Sequence, residues 1–123
     1  MKRALILLLA FLALSLPALA EGQPLVVDGA GLLTDVEIES LSAAAASLSD
    51  EYGMDVAIVT TKSLGNKAAL DYAADYFDDN GYGRGARRDG VMLLLATADR
   101  DWAIQTSGRG IGAFTDYGQK VLS

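Results

Sequence analysis

Carboxylates and glycines are the residues of this sequence whose types and spacing could do chemistry. The 123-residue chain contains no His and no Cys. That removes disulfides, thiolate nucleophiles, zinc sites built on imidazole or sulfur, and every Ser–His or Cys–His relay. Asp78, Asp79 and Asp89 flank the stretch Gly81-Tyr82-Gly83-Arg84-Gly85, and Asp116 follows a second one, Gly108-Arg109-Gly110-Ile111-Gly112. Oxygen ligands of this kind suit a hard cation, Ca2+, Mg2+ or Mn2+. With a cation in place, Arg84, Arg87, Arg88 or Arg109 could clamp a phosphoryl group. The competing reading makes Asp78, Asp79 and Asp89 solvated loop residues and Asp116 a helix cap. Neither an EF-hand nor a P-loop pattern is present.

Other chemistries fare worse. Ser and Thr hydroxyls have only carboxylates or Lys to activate them. The second glycine stretch resembles half of a dinucleotide fingerprint but lacks room for the acidic ribose partner, so no organic cofactor is expected. A net charge of −6 argues against nucleic acid as a partner.

Positioning these groups requires elements that the pattern supplies. Leu25-Val26-Val27 is a short extended run closed by Asp28-Gly29. Thr34 with Glu37 forms a capping box, and Ile38, Leu41, Ala45 and Leu48 share one face of a helix over about 35–51 that stops at Gly53. Residues 54–61 read as a strand covered on both faces. Asn66 is the expected N-cap of a second helix over 67–79, with Leu70, Ala73, Ala74 and Phe77 inward and Tyr72 and Tyr76 packing beside them. Val91–Ala96 and Trp102–Thr106 are two strands joined by a tight turn, an antiparallel hairpin. Thr115-Asp116 is placed to cap a third helix.

The hairpin brings the 81–89 and 108–116 loops to one end of the sheet and Asp99, Arg100 and Asp101 to the other. Asp28 joins the Asp99 end if its strand pairs parallel and the Asp89 end if antiparallel. Strands alternating with helices indicate an α/β sandwich with a mostly parallel sheet.

The first twenty residues have the layout of a secretory signal peptide: basic Met1-Lys2-Arg3, an apolar run from Ala4 to Leu14, a break at Pro17, and Ala18-Leu19-Ala20 before Glu21. The apolar run is shorter than the roughly 20 residues of a membrane span. Cleavage leaves residues 21–123, two charges more acidic than the −6 of the whole chain.

The ordered landmarks resemble a known family. They are Val26-Val27-Asp28, Ala30-Gly31-Leu32-Leu33-Thr34, Met54–Thr60, Tyr72-Ala73 with Tyr76-Phe77, Gly81-Tyr82-Gly83, Asp89-Gly90-Val91, Asp99-Arg100, Gly108-Arg109-Gly110-Ile111 and Thr115-Asp116. Together they look like the TPM domain. The resemblance implies a Rossmann-like three-layer α/β sandwich with helices on both faces, exported from the cytoplasm. It also implies divalent cations and, from the plant members, acid phosphatase activity. The positions matching the family's acidic landmarks are Asp28, Asp89 and Asp116, with Arg100 the basic one. The family domain ordinarily continues past the third helix, so residues 21–123 are expected to be a truncated TPM-like domain.

Two functions follow as expectations. The first is a monomeric, exported cell-envelope module that binds an envelope or membrane-protein partner, any Ca2+ or Mg2+ being structural. The second is a metal-assisted phosphatase acting on phosphate monoesters, with Asp28, Asp89 and Asp116 as metal ligands or nucleophile and Arg100 beside them.

Overall fold

The computed structural model describes residues 22–112. The expected signal peptide and the Thr115-Asp116 cap lie outside these residues. The element order is β1 (Val26–Asp28), α1 (Asp35–Tyr52), β2 (Asp55–Thr61), α2 (Ala69–Asp79), β3 (Gly90–Ala96) and β4 (Asp101–Ser107). The strands lie in that spatial order in a single sheet. β1 pairs parallel with β2, β2 parallel with β3, and β3 antiparallel with β4. The helices complete a three-layer α/β sandwich, α1 lying against β1 and β2, and α2 against β3 and β4.

Local chemistry sets the helix ends. The Thr34 hydroxyl accepts the Glu37 amide at 3.2 Å while the Glu37 carboxylate accepts the Thr34 amide at 3.0 Å. At the other end of α1, Gly53 takes the left-handed conformation, φ 65°, and its amide donates to the Ser49 carbonyl. That conformation is cheap only for glycine. Asn66 does not cap α2: it adopts φ 71° in the preceding turn, and Ala68 occupies the N-cap with no side-chain bond. Asn tolerates left-handed backbone better than other non-glycine residues, so the turn takes it first.

The main core lies between α2 and the sheet. Ala57, Val59, Met92, Leu94, Ala96 and Ala103 form the sheet side, and Ala69, Ala73 and Phe77 the helix side. Phe77 is fully buried and rests on Gly90, where a Cβ would come within 2.9 Å of the ring. Leu70, expected inside, is exposed, because Ala69 takes the inward position at that turn. On α1 the inner stripe rotates by one position near its end. Ser49 is buried there and its hydroxyl accepts the Val56 amide at 2.9 Å, while Leu48 is exposed. Among the described residues, no helix is long and apolar enough to cross a membrane.

Candidate functional site

Parallel pairing of β1 decides the fate of the acidic residues. Asp28 ends β1 opposite Thr60, and Asp89 immediately precedes Gly90, which pairs with Asp55. Thr60 lies five residues beyond Asp55 along β2, which corresponds to about 17 Å of strand. Asp28 and Asp89 therefore occupy opposite ends of the sheet and cannot ligate one ion. Asp116, the third expected ligand, lies outside the described residues. Among those residues, no group of three acidic side chains is placed to hold a metal.

The loop before β3 and the residues just after β4 do converge as the hairpin demands, but arginines occupy the carboxylates. Asp89 is only 9 % exposed. Its carboxylate accepts the Arg109 amide at 2.7 Å and the Arg109 Nε at 3.0 Å. These bonds, the backbone one first, hold the Asp89 carboxyl below its ordinary range. Arg109 also donates through Nη2 to the carbonyls of Tyr52 and Gly53, clamping the C-terminus of α1. Cations belong there electrostatically, because the last helical carbonyls carry partial negative charge.

Two further arginines repeat the pattern. Arg84 donates through Nε to Asp55 at 3.2 Å and through Nη2 to Asp50 at 3.0 Å, and the other Asp55 oxygen accepts the Gly83 amide. Arg88 reaches the carbonyls of Phe77, Asp78 and Tyr82, pairs with Asp78 at 3.6 Å, and lies over the Phe77 ring. Arg87 remains exposed beside Asp89. The second glycine stretch is more ordered than a loop. Gly108 turns at φ 57°, and helical backbone begins at 109. A Cβ on Gly108 would collide with an Asp89 oxygen and sit 2.8 Å from the Arg87 carbonyl.

At the carboxyl ends of the parallel strands, Asp28 works without any arginine. Its two oxygens accept the Leu33 amide at 2.8 Å, the Leu32 amide at 3.0 Å and the Thr60 hydroxyl at 2.5 Å. The Thr60 bond, then those from Leu33 and Leu32, lowers the Asp28 pKa. The same hydroxyl accepts the Ala30 amide. Asp28 thus shapes the turn that feeds α1. Arg100 is exposed in the β3–β4 turn at φ 51°, and Asp99 accepts the Leu64 amide at 2.9 Å, tying that turn to the β2–α2 loop.

One open cleft of about 370 Å3 lies at the arginine-rich end, lined by Leu25, Asp55, Gly81, Gly83 and Arg84 among others. Its charged groups are already paired with each other. Behind it, the buried Tyr82 hydroxyl donates to the Pro24 carbonyl at 2.6 Å, and burial pushes its pKa up to about 12. Tyr72, Tyr76 and Phe77 pack as expected, and Tyr82 extends the cluster, stacked on Tyr76 and tilted against Phe77.

Asp55 and Thr60 are the structural partners that sequence reasoning missed. Their signal was a polar side chain inside an otherwise apolar strand, which must find a partner when the strand is buried.

The TPM domain family model matches residues 26–121. Among solved structures, the chain is similar to the N-terminal domain of a protein from P. gingivalis, with TM-score 0.62 and 26% identity over 72% of this chain and 56% of that one. It also shares its fold with the N-terminal domain of the cg2496 protein from Corynebacterium glutamicum, with TM-score 0.58 and 20% identity over 71% of this chain and 55% of that one. The chain therefore spans a little over half the length of these solved structures. Comparison with curated proteins gives no match.

Proposed function

Because this chain belongs to the TPM domain family, and because its acidic loop residues are spent on its own arginines, we propose that it is a non-catalytic, exported module of the cell envelope. The observation that carries this reading is the Asp89–Arg109 pair. A nucleophile or metal ligand needs a carboxylate oxygen that faces a reactant. Asp89 is only 9 % exposed, and each of its oxygens already faces an Arg109 donor, one the backbone amide and the other the guanidinium. Its function is then to hold a rigid surface for an envelope or membrane-protein partner, and the signal-like residues 1–20 supply the export.

The test is phosphate release from an aryl phosphate by the purified chain, with Ca2+, Mg2+ or chelator, from acid to neutral pH. The expected result is no turnover above Asp89→Ala. Cation-dependent turnover that falls on Asp89→Ala would establish the phosphatase instead. Export is checked separately by N-terminal sequencing of the protein recovered outside the cytoplasm, which should begin at Glu21.

A further inference from the structure

Asn80 precedes a glycine, whereas the other asparagine of the chain, Asn66, precedes Lys67. Asparagine amides are chemically labile. They are most so before glycine, where no side chain shields the next backbone nitrogen from attacking the amide carbon.

The pair sits where α2 stops. The Tyr82 amide donates to the Phe77 carbonyl at 3.0 Å and the Gly81 amide to the Asp78 carbonyl at 3.2 Å, with Gly81 left-handed at φ 72°. This is the Schellman closure of a helix end. A Cβ at Gly81 would meet open space, so conformation and not packing requires glycine there. The same closure keeps the reacting groups apart. Asn80 has ψ 4°. Bonds on a tetrahedral carbon stand about 120° apart in projection, so the Gly81 nitrogen is turned roughly that far from the Asn80 side chain. Asn80 Nδ2 donates to the Tyr76 carbonyl at 2.9 Å, and the Gly81 N–H is spent on Asp78. Arg88 Nη2 fastens the frame, donating to the carbonyls of Phe77, Asp78 and Tyr82 on either side of the pair.

We propose that Asn80–Gly81 is a spontaneous modification site latched by the Schellman turn of α2, reacting with water only while that turn is open. On opening, the Gly81 nitrogen bonds to Asn80 Cγ. The side-chain nitrogen leaves as ammonia, carrying off the proton that Gly81 gives up. Water then opens the five-membered imide, at one carbonyl to give aspartate and at the other to give isoaspartate. The product carries a carboxylate beside Asp78 and Asp79, at a helix end where partial negative charge already gathers. It also lacks the bond to the Tyr76 carbonyl, so the latch closes less well after the reaction. Helix ends open and close quickly, and the rate in the folded chain is then the unfolded rate multiplied by the fraction of time spent open.

Peptide mapping of the full chain, incubated at mildly alkaline pH with and without urea, tests this. Trypsin cuts after Lys67 and Arg84, and residues 68–84 between them contain no other amide side chain. The mass of this peptide should rise by about 1 Da as an amide becomes an acid. The rise should be roughly tenfold or more slower in the folded chain than in urea. Arg88→Lys keeps the charge but loses the planar fork. It should speed the folded reaction several-fold and leave the rate in urea unchanged. Thr34→Ala weakens the fold at α1 instead and should leave the folded rate near that of the parent chain. Asn80→Asp, which mimics one product, should lower the melting temperature by a few degrees. Equal rates in folded and urea-unfolded chains would overturn the proposal. So would Thr34→Ala accelerating the reaction as much as Arg88→Lys, or Asn80→Asp melting no earlier than the parent chain.

Discussion

The two ends of the sheet each carry an aspartate with a lowered pKa, and they reach it by different physics. At the amino end, Asp89 is stabilised as an anion by Arg109, through both a backbone amide and a full positive charge. At the carboxyl end, Asp28 is stabilised by neutral donors alone, the Thr60 hydroxyl and two backbone amides. One end is a network of ion pairs that joins α1, β2, β3 and the start of the next helix. The other is a hydrogen-bonded turn that aims a single helix. A shifted carboxylate is therefore no sign of a reactive one: the direction is shared, and the partners tell the role.

Glycine substitutions should break the comparison most severely. Gly108→Ala puts a side chain on a left-handed residue and against the Arg87 carbonyl. We expect a loss of about 3 kcal/mol in chemical unfolding, from strain and overpacking together. Gly29→Ala meets only the Thr60 carbonyl, at 2.7 Å, without the left-handed penalty. A loss nearer 1–2 kcal/mol is expected there, roughly the cost of overpacking alone. Equal losses would mean that the arginine end is no more tightly built than the other.

Salt separates the two aspartates next. Asp89→Ala and Asp28→Ala should both lower the melting temperature by several degrees in dilute buffer. At about 1 M NaCl, where the screening length is roughly 3 Å, the penalty for Asp89→Ala should shrink while that for Asp28→Ala persists. Thermal melts of both variants at two salt concentrations decide it.

Acid should treat the two alike. Each folded pKa lies below the unfolded one, so each group stabilises the fold above the unfolded value near 3.9, and that contribution fades as pH falls through the folded value. Urea midpoints measured between pH 6 and pH 2 should therefore drop steeply below about pH 4. Asp28→Asn and Asp89→Asn should each flatten that drop. A variant with an unchanged acid profile would show that its carboxylate titrates as if unfolded. The smallest effect belongs to the cap beside Asp28. Thr34→Ala should cost about 1 kcal/mol, read from a urea midpoint.

Much of the fold was legible from local pattern. The capping box at Thr34 and Glu37, the Gly53 stop, the two strands of the hairpin and the inward Ala73 and Phe77 all follow from neighbours within one or two turns. The hairpin even located the convergence of the 81–89 and 108–112 segments, because antiparallel geometry leaves no other arrangement. The failures have a common physical origin. Leu70 and Leu48 are exposed because their small neighbours, Ala69 and Ser49, take the inward positions. Asn66 left the cap because its turn needed a left-handed residue. Asp28 and Asp89 did not come together because spacing shows where carboxylates lie in the chain but not which strand end they reach or which cations meet them there.

The sequence by itself determined the family, the α/β class, the element order and the chemistry that a chain without His and Cys cannot do. The family rests on the resemblance of its ordered motifs, and the rest on composition and on periodicities of two and 3.6 residues, which act over short stretches of chain. The tertiary structure alone decided that β1 runs parallel, that Asp28 and Asp89 stand at opposite ends, and that Arg84, Arg88 and Arg109 claim the carboxylates around them. Those outcomes depend on contacts between residues up to 57 positions apart, such as Arg109 with Asp89 and with Tyr52. Charge pairing over such distances is set by how packed elements bring side chains together, and no local periodicity encodes it.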